Sequence, residues 1–169
     1  LKLIKFISLY FLESNRKIHI LLKRKDHTQK EEIKFYKKIF KSNCIFQKSD
    51  NWKKSYQILD KFENILFMNS TLGYESIARK KKVAIFPPKK VGKYNYWLGW
   101  PASPKKEYNF FTTNKFSYNE IKRVLDNIKN CSQNKWEKKY YSSINDQLYY
   151  DKDNKKLKKI VSNLLKNSS

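Results

Sequence analysis

Glycine is scarce in this chain, with three residues in 169. Three glycines at these positions cannot supply GxGxxG or a P-loop, whose glycines let backbone close on phosphate. A dinucleotide-dependent oxidoreductase and a P-loop NTPase are therefore disfavoured. Histidine is rarer still: His19 and His27 cannot build a metal cluster unaided, and no HExxH occurs. The nucleophile-elbow pattern is absent, and Ser70 and Thr71 have no nearby histidine to activate them, which disfavours hydrolase chemistry. The two cysteines, Cys44 and Cys131, lie far apart and form no CxxC, so neither a zinc site nor a disulfide framework is suggested. Two free thiols in a reducing cytoplasm is the default expectation. Long apolar runs are also missing. The strongest is LKLIKFISLYFL at the start, too short to span a bilayer and followed by no small-residue cleavage site. Lys2, Lys5 and Ser8 recur there at helical spacing, which predicts a mostly buried helix with one polar stripe.

Acidic residues are few. Asp and Glu total 15 against 38 Lys and Arg, a formal net charge of +23. One reading is a polyanion partner, either nucleic acid or an anionic membrane. The other is composition drift. Only Arg16, Arg24, Arg79 and Arg123 are arginine, which leaves 38 − 4 = 34 lysines spread evenly along the chain. Lys, Asn, Ile, Phe and Tyr abound together, the types encoded by A/T-rich codons. Nucleic-acid surfaces favour the bidentate fork of Arg, so dedicated nucleic-acid binding is the weakest of the three readings. Apolar content of 40% and aromatic content of 16% argue for a folded globular domain. The length suffices for one domain with a real core.

Strand and helix patterns alternate through the first 130 residues. Residues 3–13 read as a helix, 17–23 as a buried strand, and 29–41 as a helix capped by Thr28. Residues 44–46 read as a strand, 55–62 as a helix, 64–68 as a strand and 83–86 as another. A last strand is expected over 110–113. Ser117 and Glu120 form a capping box ahead of Ile121, Val124, Leu125 and Ile128, a strong helix signal. Helices are expected over 136–144 and again around Leu157, Ile160, Val161, Leu164 and Leu165. The long connection 87–109 holds all four prolines, with Tyr94, Tyr96, Trp97 and Trp100. It is either a hydrophobic flap on the core or the lining of a ligand or acceptor groove. The alternation predicts an α/β fold: a Rossmann-like parallel sheet of about five strands, helices on both faces, and C-terminal helices packing back. Residues 1–145 would form that domain, and 146–169 a helix packed on it.

Ligands in such sheets bind at the carboxyl ends of strands. Two segments fall there: Lys23-Arg24-Lys25 after the first strand, and Asn69-Ser70-Thr71 after the third. The second opens a helix carrying Gly73 and Glu75. A helix start presents N–H groups without intrahelical partners, and the dipole adds positive potential. Ser70, Thr71 and those N–H groups would hold a diphosphate, Glu75 would accept ribose hydroxyls, and Lys23 and Lys25 would neutralise phosphate charge. The plainer alternative is that Asn69 or Ser70 is an ordinary N-cap, Glu75 a solvated residue and the lysines surface charge. Spacing alone leaves both open.

The segment N-S-T-L-G-Y-E-S-I-A-R-K-K-K-V resembles the nucleotide-sugar-binding segment of GT-B glycosyltransferases. It looks most like proteins of O-antigen and capsule biosynthesis. The I-L-L-K-R strand end, the Y-W-L-G-W loop, the capped helix after residue 117 and the final helix follow the same order. The resemblance implies half of a GT-B fold that transfers a sugar from a nucleotide-activated donor to a lipid-linked or glycan acceptor. It implies phosphate contacts from Ser70 and Thr71, ribose or sugar contacts from Glu75, and support from Lys23 or Arg24. Ser76 stands where the family commonly has Ala, and Arg79-Lys80 where it often has Gly before the basic pair. Lys80 is a poor residue for a left-handed helix end. No metal and no cofactor beyond the donor are called for, and no catalytic base is assigned. A complete enzyme of this kind has two domains, roughly 300 residues. The chain opens on Leu1, so an acceptor-binding domain carrying the base is expected to precede it. The expected setting is cytoplasmic, peripheral on the inner membrane face. Two other classes stay open: a non-catalytic basic module for nucleic acid or anionic membrane, and a nucleotide-sugar epimerase-like domain.

Overall fold

The computed structural model describes residues 2–23, 28–87, 106–113, 115–142, 144, 151 and 154–166. Arg24, Lys25, His27 and most of the 87–109 connection, including Tyr94, Tyr96, Trp97 and Trp100, lie outside the described residues.

Helix α1 (Lys2–Glu13) buries Leu3, Ile7 and Tyr10. Ser8 is buried with them, its hydroxyl donating to the Lys5 carbonyl at 2.8 Å. The exposed side is therefore Lys2, Lys5 and Leu9, and Ser8 leaves the expected polar stripe. Two β-α-β units follow. In the first, β1 (Ile18–Leu21) and β2 (Cys44–Gln47) pair in parallel, Ile18 opposite Cys44 through Leu21 opposite Gln47. Helix α2 (Gln29–Phe40) makes the crossover that a parallel pair requires. Thr28 stands before it in helical geometry and makes no side-chain cap, contrary to expectation. Helix α3 (Trp52–Asp60) leads to the second unit. It starts three residues earlier than the apolar spacing suggests, because Asn51 caps it by accepting from the Lys54 N–H at 2.9 Å. In the second unit β3 (Asn64–Phe67) and β4 (Lys82–Ile85) pair in parallel around α4 (Thr71–Ala78), Asn64 opposite Lys82 through Phe67 opposite Ile85.

The expected sheet of about five strands is not what forms. The described residues give two separate two-stranded parallel pairs and one isolated bridge, between Ile85 and Thr112. The reason at the fifth segment is local. Residues 106–110 wind into a 3₁₀ turn, and the Phe111 and Thr112 N–H groups both donate to the Tyr108 carbonyl. Donors spent on that turn cannot build a ladder. One bond remains, from the Ile85 N–H to the Phe111 carbonyl at 2.8 Å.

The core gathers on β4, which is buried along its length. Val83, Ile85 and Phe86 meet Tyr108, Phe111 and the inner face of α5 (Tyr118–Asn130), which is Ile121, Val124, Leu125 and Ile128. Lys82 is buried too. Its ammonium donates to the Cys131 carbonyl and pairs with Glu63, each at 2.7 Å, which offsets the cost of taking the charge from water. Half of the expected capping box forms: the Ser117 hydroxyl accepts from the Glu120 N–H, while the Glu120 carboxylate turns to Thr113 and Arg123. Helix α6 (Gln133–Lys135) runs on as a π-helical segment, Trp136–Tyr141, that buries Trp136 and Tyr140. Phe110 stacks on Tyr140 with ring centroids 3.9 Å apart. Helix α7 (Lys155–Lys166) differs from the expected packing: all its residues are exposed.

Candidate functional site

Chain leaving β3 passes Met68 and reaches Asn69, Ser70 and Thr71, all three exposed or nearly so at the carboxyl end of the β3–β4 pair. Ser70 is extended (φ −149°, ψ 127°) and caps α4, its hydroxyl accepting from the Gly73 N–H at 3.4 Å. The first intrahelical bond runs from the Tyr74 N–H to the Ser70 carbonyl at 3.1 Å. Thr71 and Leu72 precede it, so their N–H groups face outward from the helix start. The first turn of α4 contains no acidic residue that would repel an anion there.

Gly73 is what seats this helix. A Cβ at that position would lie 2.3 Å from the Phe67 ring. The missing side chain lets α4 descend onto the last residue of β3, and the Phe67 ring also meets Tyr74 edge-on at 5.1 Å. Gly73 is buried, so its contribution to the site is to set where Ser70 and Thr71 stand.

Glu75, one turn in, is neither free nor fully solvated. Its carboxylate accepts from the Tyr56 phenol of α3. That bond, with burial second, raises the Tyr56 pKa. The Arg79 guanidinium lies over the Tyr56 ring at 5.1 Å and reaches Asp60 through two bonds, at 3.2 and 2.8 Å. Tyr56 with Glu75 and Asp60 with Arg79 share one sequence offset of 19. The two links stand one turn apart on each helix and follow the same order along α3 and α4. One turn back on α3, the Trp52 ring meets the Tyr56 ring edge-on, with centroids 6.1 Å apart. Trp52 is 67% exposed, the first residue of α3, with the Lys53 ammonium over its ring.

Lys23 stands apart. It follows β1, exposed, and its backbone N–H donates to Glu32 at 3.3 Å. No described contact joins it to the start of α4. Asn69, Ser70 and Thr71 are therefore exposed together at the start of α4, with Glu75 half-buried one turn on and Gly73 buried; Lys23 belongs to the other strand pair, and Arg24 and Lys25 lie outside the described residues. At the opposite end of α4 a polar cleft of about 430 Å³ is lined by Asp60, Arg79, Lys80 and Glu137 among others. Its carboxylates Asp60, Glu137 and Glu63 are engaged by Arg79, Lys80 and Lys82 respectively, and it faces the amino ends of β3 and β4. Among the described residues no group of three or more His, Cys, Asp or Glu could hold a metal ion.

The sequence matches, over residues 2–167, a family whose description reads "putative O-antigen biosynthesis protein". The chain belongs to this family. The match spans both strand pairs and α7, and it supports a setting in surface-carbohydrate biosynthesis. The description names no reaction, donor or acceptor. No curated protein and no solved structure matches the chain.

In this O-antigen biosynthesis family member, sequence reasoning missed Tyr56 as the partner of Glu75 and the Asp60–Arg79 pair at the far end of α4. Tyr56 and Asp60 sit on the helix that precedes the β-α-β unit carrying the motif. A signal existed. Tyr56 and Asp60 repeat the spacing of Glu75 and Arg79, but only a known helix pairing makes that repeat meaningful.

Proposed function

We propose that this chain is the donor-binding domain of a glycosyltransferase acting in surface-carbohydrate biosynthesis, built as half of a GT-B arrangement. The observation that carries the reading is the exposed Asn69-Ser70-Thr71 turn at the carboxyl end of a parallel strand pair, opening a helix with Glu75 one turn in. The leaving diphosphate of a nucleotide-activated sugar sits on the Thr71 and Leu72 N–H groups and the Ser70 and Thr71 hydroxyls. These groups are fixed before the reaction, so they stabilise negative charge as it builds on the phosphate without reorganising. Glu75, oriented by Tyr56, accepts from ribose or sugar hydroxyls with its remaining lone pairs. Trp52, whose ring meets that of Tyr56, offers an exposed aromatic face on which a nucleobase stacks. Lys23 follows the other strand pair, and no phosphate contact is assigned to it, to Arg24 or to Lys25. The scheme calls for no metal, and no residue of this chain is assigned as the catalytic base. The acceptor, lipid-linked or glycan, would meet a second domain.

Titration calorimetry with a panel of nucleotides and nucleotide sugars tests the reading. At least one member should bind wild type roughly tenfold tighter than the Ser70→Ala/Glu75→Ala variant. Trp52→Ala should weaken binding of that nucleotide and leave inorganic diphosphate unchanged. Because losing a serine cap costs about 1 kcal/mol of stability, thermal unfolding must first show that both variants are folded. Equal binding by wild type and the double variant sinks the site. The net charge of +23 favours a second reading, a polyanion-binding module. That reading requires affinity that falls steeply with salt and no preference among nucleotides.

A further inference from the structure

Helix α7 presents an apolar stripe that nothing among the described residues buries. Leu157, Ile160, Val161, Leu164 and Leu165 stand at i, i+3, i+4, i+7 and i+8, and they are 59, 49, 45, 62 and 68% exposed. At 100° per residue they cover an arc of about 140°. The rest of the helix is polar in one particular way. Lys156 and Lys158 flank the two margins of the stripe, and Lys155, Lys159 and Lys166 occupy the far face. The helix has five lysines and no acidic residue. Its start is built, not frayed: the Asp151 carboxylate accepts from the Lys156 N–H at 2.5 Å, and Asn154 takes a left-handed φ of 53° ahead of it.

We infer that α7 docks on an anionic lipid bilayer, lying in the plane of the interface with its apolar stripe among the upper acyl chains. An apolar arc, low overall hydrophobicity and a lysine-covered polar face are the combination that an interfacial helix requires. Lys156 and Lys158 lay their methylene stems along the acyl boundary and raise their ammonium groups to acidic headgroups. Twelve residues extend about 18 Å, too short to cross a bilayer, and no helix among the described residues is long and apolar enough to do so. Charge selects this occupant over a second copy of the chain. Two such helices face to face would bring flanking lysines of like sign together with no carboxylate between them. The inference is independent of the donor site at Ser70 and Glu75, and it places no condition on which sugar is bound.

The full chain should be sedimented with vesicles of phosphatidylcholine alone, and with vesicles containing about one-third phosphatidylglycerol. Wild type should bind the anionic vesicles and leave the zwitterionic ones largely unbound, with affinity falling as salt rises. Leu157→Ser/Leu164→Ser should bind anionic vesicles roughly tenfold more weakly, because less apolar area enters the boundary. Lys156→Glu/Lys158→Glu should lose the preference for phosphatidylglycerol. Both pairs are exposed, so helix content and thermal unfolding should stay near wild type. Light scattering on the same samples reads self-association. Anionic vesicle binding that survives the serine pair unchanged would mean attraction by scattered lysines, and overturns the docking of α7. A dimer that dissociates in the serine pair, with no vesicle binding by wild type, overturns it in favour of a second copy.

Discussion

Residue 73 carries two competing meanings. In a segment that resembles a nucleotide-sugar site a glycine reads as a binding residue, yet its side of the helix faces the Phe67 ring, where a Cβ would come within 2.3 Å. The physical consequence is a stability effect. Gly73→Ala gains up to about 1 kcal/mol of helix propensity. It also forces the buried Phe67 ring to move, an overpacking cost of about 1–3 kcal/mol. The net expectation is a loss of about 1–2 kcal/mol, read as a lower urea midpoint at unchanged slope. An equal or higher midpoint would mean that the ring gives way freely and that Gly73 is not what seats the helix. Ser70 illustrates the opposite balance. Its hydroxyl accepts from the Gly73 N–H at 3.4 Å, a bond that does not use its O–H, which is the donor an incoming acceptor would meet. Glu75 was legible as a ligand candidate from its place in the motif. Its restraint by Tyr56 was not, because the two are 19 residues apart.

At the scale of the element, α4 ends in a way that its sequence argues against. The Lys80 N–H donates to the Ile77 carbonyl at 2.8 Å and the Lys81 N–H to the Ser76 carbonyl at 3.0 Å. That pair of bonds is a Schellman motif, and it sets Lys80 at φ 63°. Glycine is the usual occupant because a Cβ strains the left-handed conformation. Lysine persists with help from outside the turn: its ammonium pairs with Glu137 at 3.1 Å, its ring neighbour is Tyr141, and its carbonyl accepts from Gln133 at 3.0 Å. The pair is half exposed and contributes little. Lys80→Gly should therefore stabilise the protein by about 0.5–1 kcal/mol, visible as a rise in Tm. A fall in Tm would show that the contacts to Glu137 and Tyr141 outweigh the strain. The same scale explains the capping box. Ser-x-x-Glu announced the start of α5 correctly, but Glu120 is drawn away by Arg123, whose bond holds its pKa below the usual carboxylate value. A local motif fixes the helix start, and the tertiary neighbours decide where its second side chain goes.

At the scale of the molecule, the first helix is tied to the fifth. The Tyr10 phenol donates to Asp126 at 2.9 Å, and Lys122 pairs with the same carboxylate. Burial, then the bond to Asp126, raise Tyr10 from its ordinary 10.0 to about 12. The folded state thus favours the protonated phenol. Its contribution is complete below pH 10 and disappears as pH rises through about 12. Tyr10→Phe should be less stable than wild type at neutral pH by about 1 kcal/mol, and the gap should close as pH approaches 12. Denaturation curves over that range check it; a constant gap would mean that Tyr10 titrates alike in both states. What the sequence determined by itself was local and periodic. The spacing of Ile121, Val124, Leu125 and Ile128, the β-branched runs at 18–21 and 82–85, and the amphipathic stripe of α7 follow from side-chain order along one element, so they were readable without a fold. The tertiary structure decided everything that joins distant residues. It kept residues 110–113 from adding a strand, because Phe111 and Thr112 spend their donors on a 3₁₀ turn. It buried Lys82 because Glu63 and the Cys131 carbonyl were there to receive it. It left α7 uncovered, and it brought Tyr56 of α3 to Glu75, one turn into the helix that Ser70 caps. Periodicity reports which face of an element is apolar, whereas the partner of that face is set by packing between segments far apart in the chain.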